Sequence, residues 1–236
     1  MQPSLADWKP VPLPTRAPMQ GRTVTLEPLD AEFHAADLWR VVQGSDQVWQ
    51  WLSDGPFATE SALTASIAAK QSASDAVFYA ILTDQIGYPP SPLSTTATLR
   101  QRVAEGYASF MRIDPAHGVI EVGNILLAPA LQRTTAASEA MYLMARHVFE
   151  LGYRRYEWKC NAENLPSRRA AERLGFTFEG VFRQHMVIKG RNRDTAWFAM
   201  LDSEWPARKA AFEAWLDPVN FDADGRQLRT LGDFAS

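Results

Sequence analysis

The sequence predicts an α/β fold with a mixed central sheet and flanking helices. Apolar residues alternate or run together over short, strand-length stretches, and recur at helical spacing over longer ones. The strand-like stretches are 22–27, 77–82, 106–113, 119–127, 154–160 and 176–178, with a final hairpin over 182–201 that turns at 189–192. The helical stretches begin at 31, 60, 135, 166 and 209. Strands that alternate with helices in this order are typical of an α/β domain.

The helices carry recognisable start and stop signals. Asp30 is placed to cap the first helix, and Thr59 stands at the start of the second. Gly152 follows the last apolar residue of the third helix, where a glycine commonly ends a helix. These signals support helices at these positions.

Three segments fall outside the regular pattern. Five prolines in residues 1–21 predict an extended arm, with Trp8 packed on the body. Residues 83–101 contain three prolines and a Ser/Thr run, which predicts a surface insertion. The polar tail beyond residue 217 is expected to be loosely held. The domain organisation predicted is therefore an arm over 1–21, a domain over 22–205, and a C-terminal helix and tail over 206–236.

Composition limits the class of protein. A net charge of −3 at pH 7 gives no global field that would recruit nucleic acid. A single cysteine, Cys160, forms no intrachain disulfide, which fits a reducing compartment. The sequence contains neither an apolar run long enough to span a bilayer nor a secretory signal pattern. We therefore expect a cytoplasmic protein without nucleic-acid or membrane partners.

A turn of small residues between a strand and a helix predicts a phosphate site. Backbone N–H groups at a helix start, together with the positive end of the helix dipole, bind anions. The alternative is an ordinary helix start capped by Thr and Ser. The residues of this turn are Gln132, Arg133, Thr134, Thr135, Ala136, Ala137 and Ser138.

A second landmark follows one strand later. Asn164 precedes Ser167 by three residues, and the helix ends in Leu-Gly-Phe at 174–176. With the turn upstream, this order resembles the GNAT family of acyl-CoA-dependent N-acetyltransferases, in particular its RimJ/RimL-like branch of ribosomal-protein N-terminal acetyltransferases. The likeness spans roughly residues 23–205. Thr135 departs from the pattern, because the family usually has glycine there.

The resemblance implies a GNAT fold, in which the sheet is mostly antiparallel and the strands ending near Leu127 and Cys160 splay apart. It implies that acetyl-CoA is the co-substrate and that its pantetheine arm lies in the splay. Asn164 would hold the pantetheine amide. Arg168 would reach the phosphates, although a solvated helix arginine is the alternative. The cofactor-binding residues implied, besides the phosphate turn, are Ile125, Leu126, Leu127, Asn161, Asn164 and Arg168.

Glu121 and Ser167 are the predicted catalytic residues. Glu121 lies in the strand before the turn, placed as the base glutamate of several family members, and alternation puts it opposite Ile120 and Val122. The alternative is a solvent-facing strand glutamate. Many relatives carry a tyrosine that protonates the CoA thiolate where this chain has Ala171. The ribosomal-protein branch uses a serine at the position of Ser167. The alternative is that Ser167 only caps the helix or binds pantetheine.

Trp49, Trp51 and Phe57 are the predicted lining of the acceptor pocket, with a place in the core as the alternative. Neither His117 nor His147 has a second ligand at metal-binding spacing, so no metal site is predicted. Cys160 is predicted to be a small buried side chain rather than a nucleophile.

The function implied is transfer of acetyl from acetyl-CoA directly to a primary amine. The acceptor stays open between a protein N-terminus, a small polyamine or amino acid, and an aminoglycoside-like compound. A homodimer also stays open. The alternative function is a non-catalytic CoA-binding or regulatory module, which the residues Thr135 and Ala171 suggest.

Overall fold

Residues 5–86 and 100–235 are described by a computed structural model, in which an eight-stranded sheet carries helices on both faces. The strands are β1 (Met19–Gln20), β2 (Thr25–Pro28), β3 (Ala76–Ile86), β4 (Arg100–Asp114), β5 (Val119–Leu127), β6 (Arg155–Asn161), β7 (Thr177–Ile188) and β8 (Arg191–Leu201). The helices are α1 (Ala31–Val42), α2 (Glu60–Gln71), α3 (Thr135–Glu150), α4 (Leu165–Arg173) and α5 (Trp205–Leu216). Short 3₁₀ helices cover Asp46–Trp49, Pro218–Asn220 and Leu231–Phe234.

The sheet order is β1-β2-β3-β4-β5-β6-β8-β7, and the β5–β6 pair is parallel while the other neighbours are antiparallel. β5 and β6 pair from Val119↔Arg155 to Val122↔Trp158 and then separate. Both strands continue beyond this point, to Leu127 and Asn161. The predicted α/β fold with a mostly antiparallel, splayed sheet is confirmed, and the splay opens a cleft in the middle of the sheet.

Side-chain caps fix where the helices begin. The Asp30 carboxylate accepts the backbone N–H of Glu32 and Phe33, as the sequence predicts. Thr134 caps α3 through its hydroxyl, and Asn164 caps α4 through its amide oxygen. Both of these caps lie at the mouth of the splay, so two helix N-termini are directed at one place.

The sheet separates two hydrophobic clusters. On one face, α3 and α5 pack on alternate residues of the central strands, including Ile120, Val122 and Phe198. On the other face, α1 and α2 cover the β3–β4 half of the sheet, with Phe78 and Tyr107 in that cluster. Within the described part of the chain, no helix covers the side chains of β5, β6 and β8 that point to this second face.

The predicted insertion over 83–101 is partly wrong. β3 runs on to Ile86 and β4 begins at Arg100, with Thr83 opposite Val103 and Asp84 opposite Arg102. Backbone hydrogen bonds between antiparallel strands do not depend on apolar side chains, so a polar stretch extends the ladder. The remaining residues of the predicted insertion, 87–99, lie outside the described residues.

Both C-terminal predictions also need correction. α5 begins at Trp205 rather than at 209, because Pro206 suits the first turn of a helix, where no N–H bond is lost. The tail is not loosely held: Asn220 is 5% exposed, and its side-chain amide donates to the backbone oxygens of Trp215 and Arg229 at 2.9 and 3.1 Å. Likewise β7 extends from 177 to 188, well beyond the short strand predicted at 176–178.

The N-terminal arm contacts the body. The indole N–H of Trp8 donates to the backbone oxygen of Ala116 at 2.8 Å, and the Arg16 guanidinium donates to the backbone oxygen of Gln71 at 2.9 Å. The predicted packing of Trp8 on the body is confirmed.

Candidate active site

A cleft of about 1600 Å³ opens where β5 and β6 separate. Its walls are the loop after α1, the ends of β4 and β5, the start of α3, helix α4 and the β7–β8 hairpin, and part of the C-terminal tail reaches one end. Pockets for drug-sized ligands have volumes of about 300–1,000 Å³. The cleft is therefore large enough for a cofactor and a second substrate together.

The turn before α3 presents unpaired backbone amides. Among the residues the structure describes, the N–H groups of Arg133, Thr135 and Ala136 have no hydrogen-bond acceptor. Arg133 has a φ of 63°, an uncommon value for a residue other than glycine, and it shapes the turn. Three free donors at the positive end of a helix form a seat for an anion.

Two amides of the predicted phosphate turn are already in use. The Ala137 N–H donates to the Thr134 hydroxyl at 3.1 Å, and the Ser138 N–H donates to the Thr134 backbone oxygen at 3.4 Å. Ala137 lines the cleft, so its small side chain leaves room beside the free amides. Gln132 donates its side-chain amide to the backbone oxygen of Leu127 at 3.0 Å, which ties the turn to the end of β5.

The cleft is strongly basic although the chain is acidic overall. Glu121 is the acidic lining residue among those that the structure describes. The basic lining residues are Arg112, Arg133, Lys159, Arg169, Arg173, Arg193 and Arg226. Such a surface attracts a polyanionic ligand through its local field rather than through net charge.

Arg168, predicted to bind phosphate, is not part of the cleft. Its guanidinium donates to the backbone oxygen of Ala162 at 3.3 Å and lies 5.3 Å from the centroid of the Phe178 ring. Arg173 lines the cleft instead and donates to the Ser138 hydroxyl at 3.0 Å. The helical spacing of Pro166, Ala170 and Arg173 is the signal that could have found it.

On β5, alternate residues point to opposite sides. Ile125 and Leu127 line the cleft, as predicted. Leu126 is fully buried in the cluster under α1 and α2, so its side chain does not line the cleft, and the cofactor contact predicted for it would involve its backbone. Its neighbour Asn124 has a φ of 51° at a register irregularity between β4 and β5.

The end of β6 brings the predicted residue Asn161 to the cleft, and the start of α4 brings Asn164 and Ser167. The side-chain oxygen of Asn164 accepts the N–H of Ser167 at 3.1 Å, and that of Asn161 accepts the N–H of Glu163 at 2.9 Å. The Ser167 hydroxyl accepts the indole N–H of Trp158 at 3.0 Å. The Ser167 hydroxyl also hydrogen-bonds the Cys160 thiol, and because an O–H rotates, it can donate to that sulfur or into the cleft.

Glu121 is buried in the floor of the cleft, with 4% of its surface exposed. Its Oε2 lies 2.9 Å from the Lys159 amine and 3.1 Å from Nε of Arg112. Burial raises the pKa of this carboxyl above its ordinary value, while the charges of Lys159 and Arg112 act in the opposite direction. The alternative of a solvent-facing glutamate is wrong, because Glu121 is shielded by the splayed strands and paired with cations.

Glu121 belongs to a polar face that runs across β5, β6, β8 and β7. Lys159 lies with its amine 3.8 Å from the centroid of the Trp197 ring, its direct cross-strand neighbour. Thr195 follows on the same face of β8, and its hydroxyl lies 2.9 Å from Nδ1 of His185 on β7. Burial and the nearby cations Arg112, Arg193 and Lys159 lower the pKa of His185, which favours the neutral form of its imidazole.

Of these residues, sequence reasoning missed Arg112, Lys159, His185 and Arg193. A signal for Arg193 was present, since Arg193, Thr195 and Trp197 alternate with apolar residues at 196, 198 and 200. Lys159 and His185 needed the sheet order, which places β6 and β7 on either side of β8, and Arg112 needed the register shift between β4 and β5.

The predicted acceptor residues divide between cleft and core. Trp51 lines the cleft, together with its neighbours Val48, Gln50 and Leu52. Trp49 is 2% exposed, and the Phe57 ring packs edge-on against it with 5.1 Å between ring centroids. The assignment of Trp49 and Phe57 to the acceptor pocket is therefore wrong, since their side chains support the loop from behind.

Within residues 5–86 and 100–235, no three His, Cys, Asp or Glu side chains are grouped so as to hold a metal ion. None of the helices described is long and apolar enough to cross a membrane.

Comparison with known proteins identifies the class to which this fold and cleft belong. The model of the acetyltransferase (GNAT) domain matches residues 23–177. The chain belongs to the GNAT acetyltransferase family, whose members transfer an acetyl group from acetyl-CoA to an amine. The family resemblance seen in the sequence is confirmed, and the protein is an acetyltransferase.

Individual relatives give the same result. A GCN5-related N-acetyltransferase from Brucella melitensis is 47% identical over 97% of this chain and 98% of its own, with a TM-score of 0.87. A probable acetyltransferase of the GNAT family from Chromobacterium violaceum is 40% identical over 88% of this chain and 97% of its own, with a TM-score of 0.76. A comparison with curated proteins finds no match.

The ribosomal-protein branch is represented among similar structures. An acetyltransferase from Salmonella typhimurium, which modifies the N-terminal serine of ribosomal protein L7/L12, is 21% identical over 77% of this chain and 96% of its own. Its TM-score is 0.60. At this identity the likeness concerns the fold alone.

Proposed function

We propose that this protein transfers the acetyl group of acetyl-CoA to a primary amine by direct attack of the amine on the thioester. The observation that carries the proposal is that one cleft combines the unpaired amides before α3 with Glu121 and Ser167. The first group fits a phosphate, and the other two fit the proton transfers that amide formation requires.

The cleft suits acetyl-CoA at its phosphate end. The free N–H groups of Arg133, Thr135 and Ala136 are arranged to donate to phosphate oxygens, with Arg173 beside them. The edges of β5 and β6 beyond Val122 and Trp158 are not paired with each other, so they can bind an extended amide chain. Acetyl-CoA supplies the acetyl group, which is attached to the cofactor as a thioester until it is transferred.

Glu121 is the proposed base. A lysine-like amine with a pKa of about 10.4 is almost wholly protonated at neutral pH, whereas an α-amine near 7.7–8.0 is partly neutral. A carboxylate in the cleft floor takes the amine proton directly or through one water as the new N–C bond forms. The raised pKa of Glu121 makes it a stronger base than an exposed glutamate.

Ser167 is the proposed acid for the departing thiolate. Its hydroxyl accepts from Trp158 and also hydrogen-bonds the neighbouring Cys160 thiol, so its proton must turn from that thiol to the sulfur of CoA as the C–S bond breaks. The hydroxyl proton is replaced from solvent through the open cleft. Many relatives carry a tyrosine where this chain has Ala171. Alanine has no proton to donate and its side chain is completely buried, so this position does not supply the acid.

The chemistry of Cys160 supports direct attack over an acyl-enzyme. Cys160 is the only thiol of the chain, and burial raises its pKa. A protonated thiol is a poor nucleophile. We therefore expect both substrates to be bound together before acetyl transfer.

The test is a two-substrate rate study with a panel of primary amines, in which released CoA thiol is measured. Intersecting initial-velocity lines are expected, because both substrates must be present. Parallel lines, with acetylated protein isolated in the absence of amine, would indicate an acyl-enzyme. Binding of acetyl-CoA without turnover of any amine would support the non-catalytic alternative.

A further inference from the structure

We infer that the amine acceptor carries an anionic group, a carboxylate or a phosphate, which binds to Arg193 and Arg112 on the acceptor side of the cleft. This inference rests on the proposed function, because it names the class of acceptor for that site. It starts from the balance of charge on the polar face of the sheet.

Arg193 forms no ion pair with the residues that the structure describes, and the charge of Glu121 acts on it only at longer range. No carboxylate among the described residues lies within ion-pairing distance of it, and its buried Nε has no hydrogen-bond partner in that part of the chain. Burial lowers the pKa of its guanidinium, yet an arginine stays charged at neutral pH. A partly desolvated arginine with an unpaired donor is costly unless a ligand supplies the acceptor.

Arg112 is held towards the same place by an unusual backbone. Its φ of 47° lies in the left-handed region, at a register shift between β4 and β5. Bulges of this kind redirect a side chain and cluster beside active sites. Nε of Arg112 contacts Glu121 at 3.1 Å, while the side chain keeps 43% of its surface exposed. Its terminal nitrogens therefore remain available to a second anion.

The other charges nearby are already balanced. Lys159 lies 2.9 Å from Glu121 and 2.6 Å from Glu157, so this cation has two carboxylates. Arg155 binds the other side of Glu157 at 2.6 Å. A bound anion would thus pair with the guanidinium of Arg193 and with the terminal nitrogens of Arg112.

The position of these arginines separates them from the phosphates of CoA. On β8 the residues at 196, 198 and 200 pack in the cluster under α3 and α5, so Arg193 points to the opposite face. Arg133 and Arg173 serve the phosphate end at the start of α3. The anion that binds Arg193 therefore belongs to the acceptor, whose amine would lie towards Glu121.

The experiment compares acceptors that differ only in an anion. One pair is the amidated dipeptides serine-aspartate and serine-asparagine, and the other is aminoethyl phosphate and aminoethanol. Values of kcat/KM are divided by the fraction of neutral amine, since the two members of a pair differ in amine pKa. We expect at least about a tenfold preference for the anionic member of one pair, because hydrogen bonds to charged groups are the strong ones. A preference within the dipeptide pair indicates that the site binds a carboxylate, and a preference within the aminoethyl pair indicates that it binds a phosphate.

Arg193→Gln should remove most of this preference, and Arg193→Lys should keep part of it. Arg191→Gln is the matched control, since Arg191 is an exposed arginine on the same strand outside the cleft. An equal loss for charged and neutral acceptors in Arg193→Gln would overturn the inference, because Arg193 would then serve the thioester. Equal rates for both members in the wild type would overturn it while leaving the proposed function intact.

If no compound of the panel is acetylated, calorimetry with the CoA-loaded protein decides. Binding of the anionic compounds alone, lost in Arg193→Gln, supports the inference, and absence of such binding overturns it. Failure of the protein to bind CoA at all would overturn the proposed function and the inference with it.

Discussion

The Lys159 amine lies 2.9 Å from Oε2 of Glu121, and each of these side chains is only 5% exposed. Two opposite effects act on the carboxyl group: burial raises its pKa, and the positive charges of Lys159 and Arg112 lower it, with burial the larger effect. Lys159 therefore determines how far above the ordinary value the pKa of Glu121 lies. If Glu121 is the base, Lys159 adjusts its strength through their ion pair.

Glu121→Gln should lower kcat by roughly 10²–10⁴, the usual range for loss of general-base catalysis. Glutamine keeps the size of the side chain, and Lys159 keeps Glu157 as a partner, so we expect little change in the unfolding midpoint. Steady-state kinetics with saturating amine, together with calorimetry of CoA binding, would check this. If Glu121→Gln turns over as fast as the wild type at every pH, Glu121 has only a structural role.

Lys159→Met should move the acidic limb of the kcat–pH profile to higher pH. Without the ammonium, ionised Glu121 loses a favourable charge, its pKa rises further, and the carboxylate form appears only at higher pH. Since the same acceptor is used for both proteins, the titration of its amine cancels in the comparison. Lys159→Arg should move the limb less.

Lys209→Met provides the matched control, because Lys209 is a half-exposed lysine on α5, far from the cleft residues. A limb that stays in place, or that moves to lower pH, in Lys159→Met would contradict the assignment of Glu121 as base. Thermal unfolding of each variant should accompany the profiles, since Lys159 also neutralises Glu157.

Local patterns in the sequence predict most of the fold. The caps Asp30, Thr134 and Asn164 act within three residues of their own helices, so the helix starts can be derived from the sequence. The extension of β3 and β4 through 83–86 and 100–105 cannot be derived this way. It depends on backbone pairing between strands, which the sequence of a polar stretch does not indicate.

The candidate site likewise contains features that the sequence predicts and features that depend on the folded arrangement. The turn at 132–138 and the start of α4 are local motifs and were predictable from residue spacing. The pairing of Glu121 with Lys159 joins two strands 38 positions apart, and Arg112 takes its direction from a bulge. Trp49 and Phe57 illustrate the opposite error, because aromatic residues suit a core and a pocket equally well in sequence.

Ser167→Ala should lower kcat more than it weakens CoA binding. A thiol with a pKa of about 8.5 leaves tolerably well as thiolate at neutral pH, so the loss should be moderate, on the order of 10-fold. Ser167→Thr keeps the hydroxyl and should restore much of the rate. Equal losses in kcat and in affinity would mean that Ser167 only positions the cofactor. If neither quantity changes, another proton source serves the thiolate.

Ala137→Leu should greatly weaken CoA binding, because a larger side chain would fill the space beside the free amides of Thr135 and Ala136. Calorimetry with CoA measures the effect. Ala69→Leu, an exposed alanine on α2, is the control for the same change in size. Ala137 is 8% exposed, so the unfolding midpoint must be compared as well. Unchanged affinity in a folded variant would move the phosphate seat elsewhere.

Arg173→Gln should lower the affinity for CoA by at least about tenfold, while Arg168→Gln should leave it nearly unchanged. The two arginines share α4, but Arg173 lines the cleft and donates to Ser138 at 3.0 Å, whereas Arg168 is bound to the Ala162 backbone and stacked near Phe178. Partial burial lowers the pKa of Arg173 without removing its charge, so its guanidinium can pair with phosphate as a cation.

The measurement is the dissociation constant of CoA at two salt concentrations. The affinity of the wild type should fall with salt, and Arg173→Gln should show a shallower dependence because one charge contact is missing. Since both variants remove one positive charge from the same helix, a general effect of net charge would weaken binding equally in the two. A larger loss in Arg168→Gln than in Arg173→Gln would restore the assignment that the sequence suggests and contradict the one that the geometry favours.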